Sequence, residues 1–71
     1  MNGNEFIRRL RVLAKADGVP VDLDEAHGKG SHATLTYGSR RTTIKDRRKE
    51  LGLGLMRKMC RDLGIDPNRL G

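Results

Sequence analysis

The sequence predicts an α+β domain in the order helix, strand, strand, strand, helix, with a three-stranded antiparallel sheet and both helices on one face. Two segments, one near each end of the chain, space apolar residues three and four apart, as amphipathic helices do. Between them, the strand segments alternate apolar and polar residues. Because each element has a single apolar face, we expect the helices to cover one side of the sheet and leave the other open.

The first helix is predicted over residues 4–16. Its apolar stripe is formed by Phe6, Leu10 and Leu13. Asn4 is the predicted N-cap, because an asparagine side chain can accept a hydrogen bond from the first turn. Gly18 is the predicted stop, since glycine readily adopts the left-handed conformation that ends helices.

Three strands are predicted over residues 19–24, 31–37 and 40–45. Pro20 lacks a backbone N–H, so we expect either that the first strand lies at an edge of the sheet or that Pro20 lies near the start of the strand. A turn with two glycines is expected over residues 25–30. The second and third strands are joined by a tight hairpin at Gly38 and Ser39.

The second helix is predicted to follow a loop over residues 46–54 and to end before Gly64. Its apolar stripe comprises Leu55, Met56, Met59, Cys60 and Leu63. Asp66, Pro67 and Asn68 are expected to close the ordered part, leaving residues 69–71 as a frayed tail.

Chain length and net charge limit the classes of function that the protein can have. The 71 residues allow one domain, over residues 1–71, and are too few for a large enzyme with a deep pocket. The net charge is +6, with −1 in residues 1–28 and +7 in residues 29–71. A basic half of this kind predicts a polyanionic partner such as nucleic acid. A solvated face that only aids solubility is the alternative.

Other function classes lack their sequence signals. No apolar run approaches the roughly 20 residues of a membrane span, so we expect no membrane association. We see no secretory leader, and the single cysteine, Cys60, suits a reducing cytoplasm. The two histidines and Cys60 lack the spacing of a metal site, and no phosphate-binding or dinucleotide-binding glycine motif is present. We therefore expect neither a metal nor a cofactor.

His32 is the candidate catalytic residue, because it is predicted on the open face of the sheet and histidine exchanges protons near neutral pH. RNA carries its own nucleophile, the 2′-hydroxyl, so one positioned base could start cleavage without a metal. Nearby cations would stabilise the charge on the phosphate. The candidate RNA-binding residues are Lys29, Gly30, Ser31, Arg40, Arg41 and Lys45. From the residues alone, the favoured interpretation of His32 is an ordinary exposed polar residue of a strand.

Four stretches of the chain together resemble the HicA family of small bacterial toxins. These are residues 4–10 of the first helix, residues 28–32 followed by 34–35 around His32, the basic hairpin of residues 38–44, and residues 49–51 followed by 55–65 of the closing helix. The resemblance covers roughly residues 4–66 and depends on the ordered set rather than on any single motif.

The resemblance implies a double-stranded-RNA-binding-domain-like fold and a ribosome-independent mRNA interferase of a type II toxin–antitoxin system. His32 inherits the family's catalytic position. The implied partners are mRNA and a HicB-type antitoxin that covers the active face, with a monomeric free form and a hetero-oligomer with the antitoxin. Two other classes remain open. One is a double-stranded-RNA-binding module without catalysis, and the other is a protein-interaction domain whose basic face meets an acidic partner.

Overall fold

The computed structural model describes residues 1–25 and 32–70 and confirms the predicted α+β order of elements. The elements are helix α1 (Gly3–Asp17), strands β1 (Val21–Asp24), β2 (Ala33–Tyr37) and β3 (Arg40–Ile44), and helix α2 (Leu53–Leu63). The strands form one antiparallel sheet in the order β1-β2-β3, so that β2 is central.

One face of the sheet is buried beneath both helices, as predicted. On β2 the buried side chains alternate, at Ala33, Leu35 and Tyr37, and on β3 Thr42 and Ile44 are buried opposite them. These residues join a single core with α1 and α2, which supply Phe6, Ile7, Leu10, Leu13, Ala14, Met59, Cys60 and Leu63. The other face carries Thr34 and Thr36 of β2, both half-buried, and the exposed Arg41 and Thr43 of β3.

Helix α1 begins earlier than predicted, and its N-cap is Asn2 rather than Asn4. Asn2 has extended backbone angles, and its Oδ1 atom accepts a 2.9 Å hydrogen bond from the backbone N–H of Glu5. The N–H of Asn4 instead donates to the carbonyl of Arg47 at 3.0 Å. Both asparagines are suitable caps locally, and this contact with the 46–49 loop draws the helix start back by one residue.

Strands β1 and β3 are shorter than predicted. The N–H of Val19 donates to the carbonyl of Ala14 at 2.9 Å, completing the end of α1, and Pro20 has no N–H to donate to a ladder. Strand β1 therefore starts at Val21; β3 ends at Ile44, one residue before the predicted end at Lys45. The predicted turn and the start of the second strand fall largely on residues 26–31, which lie outside the described residues, as does His27.

Both helices end at glycines with positive φ, Gly18 at 68° and Gly64 at 72°. These are the predicted stops, and the left-handed conformation lets their N–H groups bond to carbonyls of the last helical turn. Helix α2 begins at Leu53, so Gly54 belongs to its first turn rather than to the loop. Leu55 of its predicted apolar stripe is 46% exposed.

The expected frayed tail is wrong. Pro67–Leu70 forms a 3-10 helix whose Leu70 side chain is only 4% exposed. The guanidinium of Arg69 bonds to Asp17 Oδ1 at 2.8 Å, and Tyr37 donates to the other oxygen of that carboxylate at 2.8 Å. Packing against α1 thus orders a segment whose own sequence is polar. Among the described residues, no helix is long and apolar enough to cross a membrane.

Candidate active site

His32 lies at one end of the sheet, beside an open groove of about 540 Å³. The groove runs between the end of β3, the loop that follows it and the first half of α2. We call it the His32 groove and define it by six of its lining residues, His32, Lys45, Lys49, Leu55, Lys58 and Met59.

Strand pairing brings His32 and Lys45 to the same place. Ala33 and Ile44 are the terminal pair of the β2–β3 ladder, and His32 and Lys45 are the next residues outward on each chain. Residues opposite one another on neighbouring strands are close enough for their side chains to interact. The sequence prediction that His32 and Lys45 share a site is therefore consistent with the register of this hairpin.

The imidazole of His32 is exposed and makes no hydrogen bond or ion pair with any other described residue. A general acid or base needs a side chain that can reach a substrate proton. The exposed imidazole meets that requirement, because binding a substrate does not first have to break a contact with the part of the chain that the structure describes.

The charge of the groove is dominated by its lysines. Lys45 and Lys49 form no ion pair among the described residues. The two carboxylates at the groove are already occupied, since Glu50 accepts from the N-terminal amino group and Asp46 accepts from the backbone N–H of Arg48 at 3.0 Å. That backbone hydrogen bond is the main reason that the pKa of Asp46 lies below its usual value.

A second groove, which we call the Arg41 groove, continues from the first along β3. It measures about 460 Å³ and is lined by Thr34, Arg41, Thr42, Thr43, Lys58 and Asp62. The two grooves share Thr43 and Lys58. Arg41, another predicted RNA-binding residue, therefore lines a groove that adjoins the His32 groove, although its strand partner is Thr36, four residues from His32 along β2.

Lys58 forms an ion pair with Asp62, one helical turn further along α2. Its Nζ atom lies 3.0 Å from Asp62 Oδ2, the same oxygen that accepts a 2.8 Å hydrogen bond from Thr42 Oγ1. The hydrogen bond from Lys58, followed by that from Thr42, lowers the pKa of Asp62 from its usual value. The carboxylate thus stays ionised and pairs with Lys58, which lines both grooves.

Arg40 lies on the helix-covered side of the sheet, because it alternates with Arg41 along β3. Its Nε atom donates to the carbonyl of Asp62 at 2.9 Å, and Nη2 donates to the carbonyl of Arg61 at 3.2 Å. A cation at this position also interacts favourably with the C-terminal end of the α2 dipole. The structure does not bring Arg40 together with His32, and its contact with RNA stays a prediction.

The remaining predicted site residues, Lys29, Gly30 and Ser31, lie outside the described residues. Sequence reasoning missed Lys49, Lys58 and Leu55 as parts of the site. The four-residue spacing of Lys58 and Asp62 was a usable signal for an ion pair, but only the packing of α2 beside β3 puts that pair next to His32.

Within residues 1–25 and 32–70, no group of three metal-ligating side chains is close enough to hold a metal.

Comparison with known proteins adds no relatives. A scan against protein-family models finds no match to the chain. Searches of curated proteins and of solved structures likewise find no similar protein. The function proposed below is therefore inferred from the chemistry of the grooves and from the resemblance to the HicA family.

Proposed function

We propose that this protein is a ribosome-independent, RNA-cleaving toxin of the HicA type, with His32 as its general base or acid. One observation carries the proposal: an exposed imidazole with no partner among the described residues lines the same groove as three lysines, Lys45, Lys49 and Lys58. A proton acceptor beside cations suits a reaction at a phosphodiester, in which a proton leaves a hydroxyl while negative charge grows on phosphorus oxygens.

The proposed reaction is an internal transfer within the RNA. His32 accepts the proton of a 2′-hydroxyl, the 2′-oxygen forms a bond to the adjacent phosphorus, and the bond from phosphorus to the 5′-oxygen breaks. The leaving 5′-oxygen takes a proton from water. The products are a 2′,3′-cyclic phosphate and a 5′-hydroxyl, and the imidazolium returns its proton to solvent. No metal or cofactor enters this balance.

The lysines supply electrostatic stabilisation in this scheme. Lys45 and His32 follow the terminal pair of the β2–β3 ladder, while Lys58 is paired with Asp62 and lines both grooves. Positive groups that are already in place stabilise a charged transition state without reorganising during the reaction. Arg41 and Lys49 extend the cationic surface, which fits further phosphates of the chain.

The biological setting is proposed from the resemblance. We place the toxin in the cytoplasm as a monomer when free, and expect a HicB-type antitoxin to neutralise it by covering His32 and the cationic grooves in a hetero-oligomer. RNA and antitoxin would then compete for the same surface, so a saturating antitoxin should abolish both cleavage and binding of RNA. Undiminished cleavage in a complex of all three would contradict this arrangement.

The second candidate is a module that binds RNA without cleaving it. The open face of the sheet, with Arg41 and Thr43 exposed, favours this function as well. The test uses a chimeric oligonucleotide in which every sugar is deoxyribose except one ribose. If the proposal is right, the protein cleaves only after that ribose, in the presence of EDTA, and leaves a cyclic phosphate. Salt-dependent binding with no cleavage of any RNA would select the binding module.

A further inference from the structure

The His32 groove has an apolar side as well as a cationic one. Met59 is only 1% exposed and lies at the groove together with Leu55, which is 46% exposed. Leu55 belongs to the apolar stripe of α2, but the residues that cover the sheet lie one and two turns further on, at Met59, Cys60 and Leu63. The first turn of α2 therefore presents a leucine to the groove instead of to the core.

We propose that the His32 groove seats one unpaired nucleobase of RNA against Leu55, beside a phosphate bound by Lys45 or Lys58. This inference rests on the proposed function and specifies its substrate: an RNA segment that is single-stranded where it enters the groove. Leu55 is then a residue that contacts the base and takes no part in proton transfer.

The chemistry of a nucleotide matches this combination of surfaces. A nucleobase has flat, weakly polar faces that favour contact with apolar side chains, whereas its phosphate needs cations. The groove volume of about 540 Å³ lies within the range of about 300–1,000 Å³ that is typical of small-molecule sites. Lys45, Lys49 and Lys58 line the same groove as Leu55, so base and phosphate can be held together.

A paired base cannot use such a seat. In an A-form duplex both faces of each base are stacked on neighbours, so only shape, phosphates and 2′-hydroxyls are offered to a protein. An unpaired nucleotide can turn its base outward, and the cost of unstacking is smallest when the strand is single to begin with. The other possible occupant is a side chain of an acidic protein partner. A groove that serves such a partner would bind RNA with bases and RNA without bases equally well.

The chain provides a matched control for Leu55. Leu53 lies two residues earlier in the same helix, is 58% exposed and does not line the groove. Leu55→Ser and Leu53→Ser make the same chemical change in the same helical turn. Any loss of helix stability is thus shared by both variants, whereas loss of a base contact is specific to Leu55→Ser.

The experiment measures binding to fluorescent oligonucleotides whose 2′-O-methyl groups prevent cleavage. The probes are oligouridine, its duplex with oligoadenosine, and an abasic oligomer of equal length. The parent should bind oligouridine more tightly than the abasic oligomer, and Leu55→Ser should erase that preference by weakening oligouridine binding about fivefold to tenfold. Leu53→Ser should bind all three as the parent does.

Three results would overturn the seat: equal effects of Leu53→Ser and Leu55→Ser, equal binding of oligouridine and the abasic oligomer by the parent, or duplex binding as tight as that of the single strand. Because no probe can be cleaved, these results are independent of catalysis. A protein that shows the base preference but never cleaves RNA would refute the proposed function and keep the seat. Cleavage of RNA without a base preference would support the proposed function and refute the seat.

Discussion

The hydroxyl of Thr42 donates a 2.8 Å hydrogen bond to Oδ2 of Asp62, joining β3 to α2 across 20 residues of sequence. Thr42 is 5% exposed and is the buried polar residue among the described core side chains. The same carboxylate oxygen accepts from Lys58, so Asp62 joins the helix to the edge of the sheet and also pairs with a cation that lines both grooves.

Thr42→Val should destabilise the protein by about 1–2 kcal/mol, the usual cost of losing a hydrogen bond to a charged group when shape is kept. Urea unfolding gives the change in the free energy of unfolding. Thr43→Val is the control, because Thr43 is exposed on the other face of the same strand. Equal losses in the two variants would show that the contact with Asp62 contributes nothing to stability.

Acid should weaken the protein partly through Glu5. Hydrogen bonds from Arg8 and then Arg9 lower its pKa from 4.5 to about 2. A carboxyl whose pKa is lower in the folded state contributes stability above its unfolded pKa and loses it as the pH falls toward the folded value. The stability gap between the parent and Glu5→Gln should therefore be full above pH 4.5 and shrink toward about pH 2. A gap that stays constant over this range in urea unfolding would contradict the assignment.

The C-terminal 3-10 helix should be part of the cooperative fold. Leu70→Ala removes a side chain that is 4% exposed and should cost about 2–4 kcal/mol in thermal or chemical unfolding, as for other buried leucines. Val12→Ala removes an apolar side chain that is 68% exposed and should change stability by less than about 0.5 kcal/mol. Similar effects of the two substitutions would mean that the segment is not packed on α1.

The two helix-ending glycines should differ in their tolerance of alanine. At Gly18 an added Cβ meets open space, so Gly18→Ala pays only the cost of a left-handed alanine, about 1–2 kcal/mol. At Gly64 the added atom comes within 2.9 Å of Arg40 Cδ, and moving Arg40 breaks its bonds to the carbonyls of α2. Gly64→Ala should therefore be the more destabilising of the two in urea unfolding, and the opposite order would refute the role assigned to Arg40.

The fold was predictable because its signals are local and periodic. The two-residue alternation of Ala33, Leu35 and Tyr37 and the stripe of α1 determine which faces are buried. The N-cap of α1 was not predictable, because Asn2 and Asn4 are equivalent in local chemistry and a long-range contact with Arg47 selects between them. Leu70 was missed for a similar reason, because its burial depends on α1 and not on its polar neighbours.

The site was predictable only in part. His32 and Lys45 were placed together by strand pairing, which sequence alternation reveals. Lys49, Lys58 and Leu55 reach the groove through the packing of the 46–52 loop and α2, which no short-range pattern encodes. Arg40 and Arg41 look alike in sequence, and only the hairpin register sends one to the helices and the other to the open face.

The central claim is that His32 transfers a proton during RNA cleavage. The most direct test compares initial cleavage rates of a single-ribose oligonucleotide by the parent and by His32→Gln, which keeps a polar side chain of similar reach but removes proton transfer near neutral pH. We predict that the cleavage rate falls by about 100-fold or more. RNA affinity should stay within about twofold of the parent, and the free energy of unfolding within about 0.5 kcal/mol. Cleavage by His32→Gln at the parental rate would contradict the account.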